Sequence, residues 1–154
     1  MPGILSLKAS SGSVGSTMDT NTSKKIFAHE RYASLSCIEI VESGPGYCKT
    51  RLIIEDRHLN AGKVFHGGAV FTLADLAFAV ASNSHGQLAL ALNVNISFLN
   101  SRSTGILCAT ATEVNEPTRI GAYDVLVTDE KGIIIARFNG LVYRKKEKVP
   151  GLPP

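Results

Sequence analysis

Apolar and polar positions alternate along most of this chain, and in one segment the alternation gives way to a nearly unbroken apolar run. A period of two marks Leu35 to Glu42 and Tyr47 to Glu55 as strands, parted by the turn Gly44-Pro45-Gly46. Before them, Ser23 to Ala33 predicts a short surface helix docking through Ile26, Phe27 and Tyr32. From Gly67 to about Ser84 the residues are almost wholly Ala, Leu, Val and Phe, a composition and length that predict a helix. At 1.5 Å per residue it is about 27 Å long. Four more strand-like runs follow: Leu88 to Leu99, Ile106 to Val114, Arg119 to Thr128 and Ile133 to Tyr143. The links between them are short and turn-rich, which predicts antiparallel neighbours, since parallel crossovers need a dozen residues or more. The implied fold class is α+β: two strands, one long central helix, then an antiparallel meander. A helix apolar nearly all round must be covered on every side, so the sheet must curve around it, with a partner subunit covering the rest.

Composition narrows the classes. At 154 residues the chain fits one domain, and 44% hydrophobic against 19% charged residues provides for a real core. The net charge of +3 equals that of the segment Arg144-Lys145-Lys146-Glu147-Lys148 alone, so the remainder is neutral and no basic face for nucleic acid is implied. That segment opens a basic, Pro-rich tail over 145–154. Residues 1–21, rich in Ser, Gly and Thr, read as a flexible extension, which leaves 22–144 as the domain. Ile4-Leu5-Ser6-Leu7 is too short for a signal-peptide core, and no apolar run reaches the length of a membrane span. Cys37, Cys48 and Cys108 show no metal-type spacing, so reduced thiols and a cytoplasmic setting are expected.

The candidate chemistry lies in the apolar centre. Of the 38 residues from Val64 to Ser101 only Asp75 carries a formal charge at neutral pH. Its helical neighbours Phe71, Thr72, Phe78 and Ala79 include no cation, and burying a carboxylate there without partners is expensive. Either Thr72 and a water satisfy it, or it reaches the surface, or it is a tuned catalytic acid. His66-Gly67-Gly68 opens the same helix, where unpaired amides and the helix dipole suit a developing oxyanion, although His66 could equally be a simple cap. Gly67 and Asp75 stand about 12 Å apart along one helix. If both are catalytic, two antiparallel helices around a two-fold axis must bring one subunit's glycine to the other's carboxylate. His66 and Asp75 fall on opposite sides of the helix, which argues against a metal site.

The stretch from Asn60 to Asp75, the continuation Leu76 to Gly86, and Asn95-Ile96-Ser97-Phe98-Leu99 together resemble the signature of hotdog-fold acyl-CoA thioesterases, and most closely their phenylacetate-pathway (PaaI-type) branch. The resemblance spans about Ala33 to Arg144. It implies a helix wrapped by a curved sheet, homodimers that often pair into tetramers, no cofactor, and an acyl-CoA substrate with an aromatic or medium-size acyl group. By carry-over, Asp75 activates water or attacks the thioester directly, the Gly67 amide polarises the carbonyl, and His66 and Asn60 shape the site. Gly68, Phe78 and Ala79 would border the substrate, the last two because they share a helix face with Asp75. One departure stands out: where some relatives carry a hydroxyl residue on the strand after the helix, this chain has Ala91.

Two other readings use the same fold. Hotdog hydratases and dehydratases pair a His with a carboxylate, and His29, His58 and His85 all lie outside the motif as surface or cap residues. A non-enzymatic acyl-CoA-binding protein would not need an acid in its pocket, so Asp75 favours the hydrolase. Arg102, Arg119, Arg137 and the Arg144 to Lys148 segment are candidate partners for the CoA phosphates.

Overall fold

The computed structural model describes residues 16–152 apart from Pro117. Two short helices, α1 (Thr20–Phe27) and α2 (Arg31–Leu35), precede strands β1 (Glu39–Gly44) and β2 (Tyr47–Ile53). A 3-10 turn (Asp56–His58) leads to the long helix α3 (Gly67–Asn83), and β3 (Gln87–Phe98), β4 (Ile106–Glu113), β5 (Ile120–Asp129) and β6 (Ile134–Lys148) follow. The α+β class and the wrapped helix stand as expected: six antiparallel strands in the order β1-β2-β4-β5-β6-β3 enclose α3.

Three regions of the chain differ from expectation. The single N-terminal helix is two, because Asp19 caps α1 by accepting from the Thr22 N–H while Glu30 starts a new helix by accepting from Tyr32. Nor are residues 16–21 a loose extension: Met18 is fully buried, and its N–H bonds to the Ser84 carbonyl at 2.8 Å. The rest of that extension, 1–15, lies outside the described residues. Second, β3 does not neighbour β4. It pairs with β6, Asn95 opposite Asn139, at the far edge of the sheet. Residues 99–105 can reach about 23 Å at 3.3 Å each. Crossing the three strand spacings between β3 and β4 takes about 14 Å even without curvature, so a short link suffices. Third, the basic segment is no solvated tail up to Lys148, because β6 continues through it and the Arg144 side chain is buried.

The core fills the space between α3 and the concave face of the sheet. Val70, Leu73, Leu76, Ala77, Phe78, Val80 and Ala81 pack against Leu52, Leu107, Val125, Val127 and Phe138. Phe78 lies edge-on to Tyr123 and tilted on Phe138, over Gly140, where an added Cβ would come within 2.7 Å of its ring. Only a glycine lets the ring sit that close to the β6 backbone. Buried Thr50 of β2 donates to the Leu73 carbonyl at 2.9 Å and ties helix to sheet. Among the described residues, no helix is long and apolar enough to cross a membrane.

Candidate active site

Gly68, Thr72, Asp75 and Ala79 are not fully buried and fall at helical spacing along α3, on the stripe that the sheet leaves uncovered. Asp75 faces a cavity of about 170 Å³ bounded by Glu30, Tyr32 and Ala33 from the N-terminal helices and by Phe71, Thr72, Leu76 and Ala79 of α3. Among the described residues the Asp75 carboxylate makes neither a hydrogen bond nor an ion pair. The neighbouring hydroxyl does not serve it, because Thr72 Oγ1 donates to the Gly68 carbonyl at 2.8 Å. Burial first, and the charge of Glu30 second, push the Asp75 pKa above the ordinary aspartate value. A half-buried, unpartnered carboxylate of raised pKa is poised to accept a proton.

The start of α3 is built from the loop before it. Asn60 Oδ1 accepts from the Gly62 N–H at 2.8 Å and the Val64 N–H at 3.3 Å, while the Lys63 backbone takes the left-handed conformation at φ 60°. The His66 N–H donates to the His58 carbonyl, and buried His58 is itself held by the Glu55 N–H at 2.9 Å and the Ser36 carbonyl at 3.0 Å. His66 caps the helix, its Nδ1 accepting the Gly68 N–H at 2.8 Å. That bond occupies the Gly68 amide, whereas the N–H of Gly67 has no acceptor among the described residues. His66, Asn60 and Gly68 therefore shape the loop, and the Gly67 N–H is the donor left open at the helix start. No carbonyl of one chain can use both Gly67 and Asp75, since α3 runs unbroken between them.

Several expectations about individual residues change here. Phe78 does not border the cavity: it is 2% exposed and belongs to the core. At 100° per residue it stands about 60° to one side of Asp75, toward the sheet, whereas Ala79 stands about 40° to the other side and lines the cavity. Glu30, Tyr32, Phe71 and Leu76 line the same cavity and were not singled out from sequence; Phe71, four residues before Asp75, was within reach of helical spacing. His85 is half-buried and paired rather than a free surface residue, its Nε2 lying 2.6 Å from Glu113 Oε2. That His–carboxylate pair sits beyond the C-terminal end of α3, away from Gly67, and Glu113 is also tied to Arg144, so it does not revive the hydratase reading. Arg102 is committed to Asp129 through two bonds of 2.9 and 2.6 Å. Ala91 is exposed on β3 opposite Val142 and offers no side-chain hydrogen bond to a water.

Comparison with known proteins fits this geometry. The family described as the thioesterase superfamily matches residues 62–136. A protein of Archaeoglobus fulgidus is 40% identical over 126 residues, covering 81% of this chain and 82% of its own length. The acyl-coenzyme A thioesterase PaaI of Escherichia coli is 32% identical over 123 residues, 76% of this chain and 88% of that protein. The solved E. coli PaaI structure superposes with a TM-score of 0.79 at 29% identity, covering 83% of this chain and 94% of the other. A phenylacetic acid degradation protein PaaI variant from Thermus thermophilus gives 0.71 at 32% identity, with coverage of 75% and 99%. With the helix-in-sheet fold, the capped glycine pair and the lone carboxylate already in place, these matches establish that the chain belongs to the hotdog-fold thioesterase superfamily, in its PaaI-type branch.

Proposed function

We propose that this protein hydrolyses an acyl-CoA thioester to the free acid and CoA, with Asp75 and Gly67 as its reacting groups. The observation that carries the reading is the half-buried Asp75 carboxylate, without a partner among the described residues and facing a cavity. Asp75 takes a proton from water as the water oxygen bonds to the thioester carbon. The carbonyl oxygen, now anionic, is held by the Gly67 N–H. Collapse breaks the C–S bond, and the proton leaves with the CoA thiolate. Direct attack by Asp75 would instead form an anhydride that water then opens, with the same products.

The sites are composite, formed across a homodimer that further associates as a tetramer. Two features support this: the roughly 12 Å along α3 between Gly67 and Asp75, and β3 at the sheet edge with Leu90, Leu92 and Phe98 exposed. Such an apolar edge strand invites pairing with a second copy. The acyl group is aromatic or of medium size. Phe71 and Tyr32 flank the carboxylate, and a neighbouring cavity of about 440 Å³, reached past Glu30, Ala33 and Leu76, is lined by Phe27, Ile38 and Ile40. The free thiols Cys37, Cys48 and Cys108 suit a cytoplasmic setting.

A panel of acetyl-, hexanoyl-, benzoyl- and phenylacetyl-CoA with a free-thiol readout tests the reading. Thiol release at least tenfold faster from the larger esters is expected, and no release from any of them would sink it. Ala79→Leu should then cost phenylacetyl-CoA far more than acetyl-CoA; equal losses would remove Ala79 from the acyl pocket.

A further inference from the structure

Away from Asp75, beyond the C-terminal end of α3, two cavities of about 320 Å³ each adjoin, sharing His85, Gln87 and Lys146 in their walls. The first is bounded also by Arg119, Arg144 and Lys145, and the second by Lys148. Irregular pairing gathers these cations. Ala89 pairs with Arg144 but Gln87 with Lys148, so β6 carries two extra residues there, and a bulge of this kind re-aims side chains. Lys145 and Lys146, adjacent in sequence, consequently line the same cavity.

Among the described residues no carboxylate lines either cavity. Glu113 lies beneath the first and is already shared by Arg144 and His85. Exposed Glu116 and Glu147 are near in sequence but form no part of the walls. Arg119, Lys145, Lys146 and Lys148 make no ion pair among the described residues, so four positive charges converge without internal compensation. Arg144 adds an independent observation. It is 5% exposed, bonded to Glu113, to the Thr118 carbonyl and to Tyr123 Oη, yet its Nε is buried with no acceptor among the described residues.

We propose that this groove binds a ligand carrying two or more phosphates, of the nucleoside di- or bisphosphate class. One phosphate group brings about −1.5 to −2 at neutral pH, so a single one leaves half of the four cations unmatched and two match them. Guanidinium and ammonium groups, both present in this lining, are the donors that phosphate oxygens use. Two sources share this chemistry: the nucleotide end of a CoA ester, or a free nucleotide acting as an effector. Only the first rests on the acyl-CoA reading above.

The test has a binding arm and a kinetic arm. Titration calorimetry of the full chain with ADP, pyrophosphate and free CoA should show binding at micromolar to submillimolar concentration. Lys146→Glu, at an exposed position, should weaken it at least tenfold, and Lys146→Arg should retain it. In the kinetic arm, if the phosphates belong to the substrate, Lys146→Glu raises KM for the CoA ester tenfold or more and leaves that for the matching acyl-pantetheine unchanged. If ADP binding is lost while both KM values hold, the ligand is a free nucleotide. If none of the three probes binds, or Lys146→Glu binds them as well as the parent, the groove is not a phosphate site. Binding without any ester hydrolysis would overturn the thioesterase reading and leave the groove standing.

Discussion

The two ends of α3 differ in how completely their polar groups are satisfied. At the C-terminal end Asn83 donates to the Ala79 carbonyl and accepts from the Ala89 N–H, and Ser84 Oγ donates to Ala81 and accepts from the Gly46 N–H. Just beyond, His85, Glu113, Arg144 and Tyr123 form one buried network. At the N-terminal end His66 caps only Gly68, and among the described residues neither Gly67 nor, further along the helix, Asp75 has a partner. One end is an anchor, whose polar groups apart from the buried Arg144 Nε are paired within the fold. The other retains an unpaired donor and an unpaired acceptor, which is the condition of a site that has yet to meet its substrate. The carboxylates make the same contrast: neither is fully exposed, but Glu113 is paired and Asp75, among the described residues, is alone.

Breaking the anchor should have the largest effect. Arg144→Ala leaves Glu113 buried with only His85 and Tyr123 without its charged partner, and loss of one member of a buried pair costs about 3–5 kcal/mol. Urea unfolding will read it, with Arg119→Ala as the exposed control, expected within about 0.5 kcal/mol of the parent. Equal effects at the two arginines would dissolve the distinction between the ends. Next in size is Asp75→Asn. Removing the base should lower kcat about 10²-fold, equivalent to about 2.7 kcal/mol, with KM little changed. Unlike Arg144→Ala, this change should leave the fold as stable as the parent or more so, because the native state disfavours the charge it removes. A large loss of stability would make Asp75 a structural residue.

What could be read from sequence divides along the same line. The bounds of α3 follow from composition, since a run of Ala, Leu, Val and Phe starting at a Gly pair admits little else, and the structure ends it one residue before Ser84. Asp75 stood out because one charge in a long apolar stretch is legible without a partner. The anchor was not legible. Glu113 lies 28 residues from His85 and 31 from Arg144, and the β4–β6 geometry that joins them is a property of strand order, which the short link before β4 obscured. Phe78 shows the limit of helical spacing: it places residues on a face, but which flank of that face meets the sheet depends on packing.

The open end can be sharpened by mixing subunits. Asp75→Asn chains alone should be inactive, as should Gly67→Pro chains, which lack the amide N–H. Refolded together they should recover up to about a quarter of parental activity, because a mixed dimer has one site with both groups intact. Mixed dimers verified by mass that remain inactive would overturn the shared site.

The smallest expected effect concerns Glu30. Its charge is the second cause, after burial, of the raised Asp75 pKa, and its Oε2 also accepts the Tyr32 N–H at 3.0 Å. Glu30→Gln keeps an acceptor for that bond and removes the charge. The proposed reaction needs Asp75 deprotonated, so kcat/KM should fall as pH drops through its raised pKa, and in Glu30→Gln this acid limb should move to lower pH. The displacement should be partial, since burial remains, and it should shrink in high salt, where the repulsion is screened. Stability carries the opposite sign. A carboxyl whose pKa is higher folded than unfolded binds its proton first in the native state, so its penalty on folding fades as pH falls through the folded value. Asp75→Asn should remove that contribution, and Glu30→Gln should reduce it. Kinetic pH profiles and urea midpoints on the same three proteins check both signs. An acid limb that stays in place in Glu30→Gln would leave burial alone as the cause of the raised pKa.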